Sequence, residues 1–167
     1  MSEICNFYSG YHPDIDGRYL FQIQDEDDDW LEFDHSWVQW LFPLKEPSNF
    51  NPDAPLLTDE EISLFKQSET LQANLSYSFH RFLRFLGLNT DGQKVYKAEN
   101  FEDRARYCWN QINHNWLRIT RCLTSLKLLG REDLAQRLYN FLLELHETEN
   151  LVSENSFAYW TKAIKEN

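Results

Sequence analysis

Three side chains that can bind an anion follow one another at helical spacing in the second half of the chain. His114, Arg118 and Arg121 stand at positions i, i+4 and i+7, so an α-helix brings them to one face. Two guanidinium groups beside an imidazole can hold a carboxylate or a phosphate through paired hydrogen bonds. The same pattern suits arginines that bridge to carboxylates of the acidic first half. Both interpretations stay open, and Asn113 and Asn115, which flank the histidine, complete this candidate binding group.

A second candidate group lies near residue 35. His35 and Gln39 are one helical turn apart and Trp40 follows directly, so the polar pair can orient a ligand or a water molecule. Alternatively, the pair hydrogen-bonds the backbone of the proline-rich segment that comes next, because an irregular loop leaves many amides and carbonyls in need of partners. The second interpretation is favoured. Asn51, inside that segment, is included among the candidate ligand contacts.

No familiar catalytic or nucleotide-binding motif occurs in the sequence. GxSxG, HExxH, GxxxxGK[ST] and GxGxxG are all missing. The five histidines lack the close spacing of metal ligands. Cys108 and Cys122 stand at apolar helical positions, where thiols are usually inert. We therefore predict no catalytic residue, no metal and no cofactor, and an enzyme is not the favoured class.

Charge is unevenly distributed along the chain. Of the 27 acidic and 16 basic residues, 16 acidic and three basic ones precede Arg81, whereas residues 81–137 hold 11 basic and six acidic ones. Either these two parts pack together and neutralise each other, or the middle segment offers a basic surface to an anion. The net charge of −11 disfavours DNA binding, since non-specific affinity comes mainly from neutralised phosphates.

The sequence predicts a soluble, intracellular, cytoplasmic protein. Its three cysteines, an odd number without CxxC spacing, are typical of reduced thiols rather than of a disulfide framework. The beginning of the chain lacks the basic and apolar regions of a secretory signal, and no apolar run reaches the ~18 residues of a transmembrane helix. No Lys/Arg-rich nuclear-import run occurs either. None of these patterns indicates an oligomeric state.

The elements that must position these residues are helical. Apolar residues recur at a period of 3.6, and alternating strand patterns are nearly absent, so we predict an all-α, compact single domain (residues 1–167) of about six to eight helices. The predicted helices cover residues 18–24, 30–41, 58–67, 68–86, 102–129, 132–145 and 156–165. A break is allowed near Asn113, and residues 88–100, with Asp91-Gly92, form a loop or small hairpin. Residues 43–57 form an irregular Pro-rich connection.

Helix-capping and breaking residues set several of these boundaries. Thr58 and Glu61 form a capping box, and Gly87 and Gly130 supply C-terminal stops. The apolar stripe of the helix after residue 113 runs from Trp116 through later leucines. The candidate arginines lie about 140–160° around the helix from that stripe, at 100° per residue.

A resemblance to a known family is carried by two segments of the chain. The first reads WLEFDHSWVQWLFPL (residues 30–44) and continues as SNFNPDAPLLT (residues 48–58). The second reads NHNWLRITRCLTSLKLLG (residues 113–130). Both resemble the signatures of the opioid growth factor receptor family, with its Gln-Trp-Leu-Phe-Pro, Asn-Pro-x-Ala-Pro and Arg-Ile-Thr-Arg elements. Phe7-Tyr8 and Tyr159-Trp160 fit as well, so the resemblance covers nearly the whole chain.

The resemblance implies a receptor-type domain. Animal receptors of this family bind the peptide Met-enkephalin and restrain cell proliferation from the nucleus, and they carry long polar C-terminal extensions. The present chain ends at Asn167 without such an extension. We expect it to be a short, stand-alone form of the conserved domain.

We interpret the chain as a binding module for a peptide or protein, with its groove where the two signature helices meet. The arginines would hold an acidic or C-terminal carboxylate, and tryptophan side chains would supply apolar contact. One alternative is a binder of, or an enzyme acting on, a phosphorylated or carboxylate small molecule through His35, His114, Arg118 and Arg121. Another is a structural or assembly role in which both motifs are internal.

Overall fold

The computed structural model describes residues 2–166. They form two compact units: unit 1 comprises residues 2–81 and 128–130, and unit 2 comprises residues 82–127 and 131–166. The predicted helical class is confirmed, since helices make up 61% of the described residues. Organisation as a single domain over residues 1–167 stays a prediction, and the two terminal residues of that range lie outside the described part.

Unit 1 is built from short helices and one long one. They are α1 (Glu3–Tyr8), α2 (Leu20–Asp25), α3 (Asp28–Phe33), α4 (Val38–Leu41), α5 (Asp59–Gln67) and the part of α6 (Glu69–Phe85) that ends at residue 81. The acidic run at residues 25–29 starts α3, because Asp27 accepts a hydrogen bond from the Trp30 amide at 2.8 Å. Asp28, in the first turn of α3, forms an ion pair with the buried Arg81 of α6 at 2.9 Å.

The capping box predicted at α5 is present and reaches further than expected. The amide of Thr58 donates to Glu61 Oε2 at 2.9 Å, and the Glu61 amide donates to the Thr58 hydroxyl at 3.2 Å. The buried Glu61 carboxylate also accepts the amide of Ile4 at 3.2 Å. One carboxylate therefore serves the backbone of both α5 and α1, and it joins these two helices.

The continuous helix predicted over residues 30–41 is wrong, because it is interrupted between α3 and α4. The Asp34 carboxylate accepts the Ser36 amide at 2.8 Å and the Ser36 hydroxyl at 2.7 Å. This local turn replaces the helical hydrogen bonds, which is the usual effect of an Asp or Ser side chain that bonds its own backbone. The indole of Trp37 then donates to the Leu31 carbonyl at 2.9 Å and holds the chain as it turns.

Aromatic rings fill the interior of unit 1. Phe7 packs on Trp40 with ring centroids 5.0 Å apart, and Tyr8 packs on Phe65 at 5.1 Å. The Tyr8 hydroxyl bonds the Leu41 carbonyl and lies 3.0 Å from the hydroxyl of Ser78, which also receives the amide of Gln24. The buried hydroxyl groups of Tyr8 and Ser78 are thereby hydrogen-bonded within an apolar core.

The Pro-rich connection at residues 43–57 is irregular, as predicted. Its ends meet at an isolated parallel bridge between Leu44 and Leu56, where the Leu57 amide donates to the Leu44 carbonyl at 2.9 Å. Ala54 and Leu57 are buried. The segment is thus closed as a loop at its base.

Unit 2 combines helices with a small hairpin. It contains β1 (Leu88–Thr90), β2 (Val95–Lys97), α7 (Phe101–Cys108), α8 (Asn115–Leu128, of which residues 115–127 belong to this unit), α9 (Glu132–Glu149) and α10 (Glu154–Lys165). The hairpin and the helix break near Asn113 are confirmed. Within residues 2–166 the helices number ten rather than six to eight, because the break, α1 and the divided α3–α4 segment add short helices.

Tryptophan side chains hold the helices of unit 2 together. Trp109 donates its indole N–H to the Leu86 carbonyl at 2.8 Å, and Trp116 donates to the Cys108 carbonyl at 2.6 Å. Trp160 of α10 donates to the Trp116 carbonyl at 3.1 Å, with the two ring systems 6.0 Å apart. α10 also packs on α9, which in turn contacts β2.

Within residues 2–166, every helix is too short or too polar to cross a lipid bilayer.

Substituting Gly87 by alanine should destabilise the protein strongly. Gly87 has a φ of +79°, and an added Cβ would lie 2.8 Å from the Phe101 Cα, a backbone atom that cannot swing aside. We expect a loss of at least ~2 kcal/mol in the free energy of unfolding. Gly92→Ala is the matched control, since φ is +89° there but nothing lies within 4 Å, and it should cost about 1 kcal/mol. Equal losses in urea denaturation would contradict the close approach.

Candidate functional site

The second signature segment begins with a turn organised by Asn113. Its side-chain amide donates to the carbonyls of Cys108 (3.1 Å) and Gln111 (2.7 Å), and its Oδ1 accepts the Asn115 amide at 2.8 Å. An asparagine that bonds the backbone on both sides closes the α7–α8 connection and starts α8. Asn113 is therefore explained by local structure.

Asn115 is fully buried and holds Arg118 in place. Its Nδ2 donates to the Tyr107 carbonyl at 3.4 Å and lies 3.7 Å from Cys108 Sγ. Its Oδ1 accepts Arg118 Nη1 at 3.1 Å. The amide therefore fixes one nitrogen of a guanidinium that is itself only 4% exposed.

Two buried arginines in unit 2 lie around one phenylalanine. The guanidinium of Arg104 is 4.6 Å from the Phe85 ring centroid and that of Arg118 is 5.8 Å from it. Arg104 also donates to the Phe85 carbonyl at 2.6 Å. Contact with the face of an aromatic ring stabilises a guanidinium cation inside the protein. Unit 2 thus contains a fixed, buried positive charge beside its signature segment.

The structure separates the three members of the predicted anion group by their exposure. Arg118 is buried although helical periodicity placed it far from the Trp116 stripe, because Phe85 and Asn115 accommodate its side chain. His114 is exposed and lies just before α8, where its carbonyl accepts the Arg118 amide at 3.3 Å. Arg121 is half-buried one turn further along α8. His114 and Arg121 are the members with surface accessible to a ligand.

The first signature segment places His35 at the surface and Gln39 in the interior of unit 1. The Gln39 amide, oriented with its nitrogen toward the preceding turn, donates to the carbonyls of His35 (3.0 Å) and Ser36 (3.3 Å). Those carbonyls lie in the interruption between α3 and α4, where the helix supplies no partner. Gln39 therefore supports its own turn.

Trp40 and Asn51 also have local roles. Trp40 is 1% exposed and packs on Phe7, and its indole N–H has no acceptor among the described residues. Contact of Trp40 with a ligand, which stays a prediction, requires movement of the surrounding core. Asn51 is half-buried, and its backbone accepts the Ala54 amide at 3.1 Å in the turn of the proline-rich segment.

A charged cluster beside His35 was not predicted. Arg18 pairs with the buried Asp14 at 2.6 Å and with Asp34 at 3.4 Å, and its guanidinium lies 5.2 Å from the Trp30 ring centroid. Burial is the largest influence on the pKa of Asp34 and raises it, but hydrogen bonds from Ser36 and the charge of Arg18 outweigh burial, so the pKa is lowered. The carboxylate is thus firmly ionised. In the sequence, the Asp-x-Ser spacing of Asp34 and Ser36 is the feature that could have indicated this cluster.

Depressions that are open to solvent occur in both units. A shallow one of about 510 Å³ in unit 1 is lined by Trp30 and Phe33 between Asp29 and Asp34. Another, of about 370 Å³ in unit 2, lies between the hairpin and α9. None of the predicted site residues lines either depression.

The three cysteine thiols lie in surroundings that do not activate them as nucleophiles. Cys5, Cys108 and Cys122 are buried and unoxidised, and burial raises the pKa of the Cys5 and Cys122 thiols. In the described part of the chain, no three His, Cys, Asp or Glu side chains come together in a way that could hold a metal ion.

All three thiols should resist modification in the native protein. A protonated thiol without solvent access reacts only after local or global opening. With Ellman's reagent at pH 8 we expect labelling at least ~100-fold slower than in 6 M guanidinium chloride. Asp53→Cys, at an exposed position, is the control and should add one fast-reacting thiol. A fast native thiol in the unmodified chain would contradict this arrangement.

Asp34→Asn should destabilise the protein in a pH-dependent manner. The folded-state pKa of Asp34 is lowered, so its stabilisation is present above the unfolded-state pKa of about 3.9 and is lost as the pH falls through the folded-state value. We expect a loss of about 1 kcal/mol at pH 7 that is smaller at pH 3, which lies below the unfolded-state pKa. Urea denaturation at both pH values measures it. The exposed Asp53→Asn should change stability by less than ~0.5 kcal/mol; a pH-independent loss in Asp34→Asn would point to packing instead.

Comparison with known proteins places these segments in one family. Residues 6–167 match the family described as the opioid growth factor receptor (OGFr) conserved region. The human opioid growth factor receptor is 40% identical over 119 residues, which is 70% of this chain and 17% of the human protein. Opioid growth factor receptor-like protein 1 is 31% identical over 159 residues in mouse (90% of this chain, 34% of that protein) and over 176 residues in Xenopus tropicalis (99% and 34%).

The chain thus spans about a third or less of the length of these relatives. No solved structure matches it. The family match covers nearly all of the residues described above, including both signature segments. The chain belongs to the opioid growth factor receptor family.

Proposed function

We propose that this chain is a binding module that recognises a peptide or protein, and that the start of α8 contacts an acidic group of that ligand. The names of the relatives, which are receptors and receptor-like proteins, support a ligand-binding role. Cytoplasmic location, expected from the sequence, stays a prediction.

The observation that carries the proposal is the fixed positive charge at the start of α8. Arg118 is buried, bonded to Asn115 and 5.8 Å from the Phe85 ring centroid, so its guanidinium loses little conformational entropy when a ligand arrives. Next to it along the chain, His114 is exposed and Arg121 is half-buried. In this proposal His114 and Arg121 contact the ligand's carboxylate directly. The positive charge of the buried Arg118 adds a favourable electrostatic potential at that carboxylate. His35 and Asn51, at the surface of unit 1, remain proposed contacts.

A structural role is the second candidate, and a specific observation favours it. Gln39, Trp40, Asn115 and Arg118, four of the nine predicted contacts, are buried. Gln39, Asn115 and Arg118 have hydrogen-bond partners inside their own units. In that case the signature residues maintain the fold, and the ligand binds elsewhere. Binding of a phosphorylated small molecule, the third possibility, uses the same accessible His114 and Arg121.

Thermal unfolding in the presence of Met-enkephalin, inorganic phosphate or nucleotides distinguishes these functions. A ligand at ~100 times its dissociation constant adds about 2.7 kcal/mol of stability, or several degrees. We expect the peptide to raise the midpoint, and His114→Gln and Arg121→Gln to remove most of the rise. Arg106→Gln, at an exposed arginine of α7, is the control and should leave it intact.

Three other outcomes would redirect the proposal. A rise with phosphate or a nucleotide that depends on Arg121 would favour the small-molecule function. A peptide-induced rise that is unchanged in both variants would move the site away from α8. No rise with any of these compounds would leave the structural role as the better account of the signature residues.

A further inference from the structure

A groove in unit 2 separates the hairpin from α9 and contains none of the signature residues. We call it the β2–α9 groove; it is formed by residues 94–97 on one side and by Phe141, Glu144 and Leu145 of α9 on the other, with a volume of about 370 Å³. A neighbouring depression of about 240 Å³ extends it along α9 toward Arg137. The groove is therefore elongated and runs parallel to β2.

The groove is lined by the edge of β2 rather than by one of its faces. Side chains of a strand alternate between faces, so a surface that packs on a face meets every second residue. Here Lys94, Val95, Tyr96 and Lys97 all line the groove. Successive residues that point to opposite faces line one space together where the backbone itself borders it.

Hydrogen bonding within the hairpin leaves that backbone edge available. The Ala98 amide donates to Gly87 O at 2.9 Å and the Asp91 amide donates to Lys94 O at 3.3 Å, and Tyr96, which is in register with Asn89, lies between these pairs.

In an antiparallel ladder, bonded pairs alternate with pairs whose amides and carbonyls point outward. Val95 and Lys97 are in register with Thr90 and Leu88, at the alternate positions. Their N–H and C=O groups therefore point away from β1, into the groove.

The dimensions and floor of the groove fit a short extended chain. Val95, Phe141 and Leu145 form an apolar floor and are each less than 10% exposed. From Arg137 to Glu149, α9 is about 18 Å long at 1.5 Å per residue. About five residues in extended conformation cover the same length at 3.3–3.4 Å each.

The charges at the two ends of the groove differ. At one end Lys97 forms an ion pair with Glu149, so these charges are already neutralised. At the other end the Lys94 ammonium forms no ion pair within 4 Å among residues 2–166, although, besides hydrogen bonds from backbone amides, its charge helps to lower the pKa of the nearby Asp91 carboxyl. Arg137 pairs with Asp133 at 3.7 Å. The charged side chains that line this end are Lys94, Arg137 and Glu144, two positive and one negative, so their net charge of +1 favours a carboxylate on an incoming ligand.

We propose that the β2–α9 groove binds an extended peptide of about five residues, which adds to the hairpin as a third strand. The peptide backbone bonds to Val95 and Lys97, alternate apolar side chains pack on Phe141 and Leu145, and an acidic side chain reaches Lys94. This site is distinct from the proposed contact at α8, so each of the two proposals can fail without affecting the other.

The experiment selects heptapeptides from a random displayed library on the full chain and measures binding of one synthesised winner by fluorescence polarisation. Lys97→Pro removes the outward amide of β2 without touching a bond to β1, since Pro is tolerated on a free edge. Lys97→Val is the matched control, because it also loses the ammonium but keeps the N–H. We expect Lys97→Pro to weaken binding about tenfold relative to Lys97→Val. Lys94→Gln should weaken it about threefold.

Two further readouts do not depend on how well a variant folds. Hydrogen exchange of the Val95 and Lys97 amides in the unmodified protein should slow on binding. N-methylation of the peptide, one residue at a time, should abolish binding at every second position, a pattern that strand pairing alone produces.

Selected peptides that bind Lys97→Pro and Lys97→Val equally well, without protection of these amides or alternation in the N-methyl series, would overturn the proposal. So would a selection that yields no peptide with a dissociation constant below about 100 μM. Loss of binding in His114→Gln or Arg121→Gln with Lys97→Pro unaffected would assign the peptide to α8 instead.

Discussion

In unit 2, helices end inside an apolar core, and the main-chain carbonyls at those ends need hydrogen-bond donors. The last carbonyls of a helix lack intrahelical partners, and an unpaired buried carbonyl costs on the order of 1–3 kcal/mol. At the end of α6, Arg104 donates a hydrogen bond to the Phe85 carbonyl and Trp109 donates one to the Leu86 carbonyl. At the end of α7, Trp116 serves the carbonyl of Cys108. Large side chains that carry N–H donors therefore both fill the core and end its helices.

The same constraint explains why arginines are found in the interior. Arg104 ends α6 through its Nε, and its guanidinium and that of Arg118 both lie within 6 Å of the Phe85 ring centroid. Asn115 then orients Arg118. A structural requirement at a helix end thus generates a preorganised cation, which is the kind of group that ligand recognition can use at low entropic cost.

Features that depend on neighbouring residues in sequence were predictable, whereas those that depend on distant residues were not. The start of α5 followed from Thr58 and Glu61, and the end of α6 from Gly87, because capping is local. The interruption after α3 was missed since apolar periodicity continues through it and only the Asp34–Ser36 turn breaks the helix. For the candidate site, the second signature segment identified Asn115 and Arg118 as candidate contacts. The helical period, however, predicted that Arg118 lies on the polar face of α8. Its burial depends on Phe85, which belongs to another helix.

The outward edge of β2 has a consequence for how the protein behaves at high concentration. Unpaired strand edges are templates for pairing with another copy, and continued pairing leads to aggregation. β2 has only three residues, and Lys94, whose ammonium forms no ion pair among residues 2–166, borders its edge. Two like-charged edges repel each other when they approach, and a three-residue strand offers few bonds in return. The hairpin is thus open to a complementary segment while its own charges oppose fibrillar self-assembly.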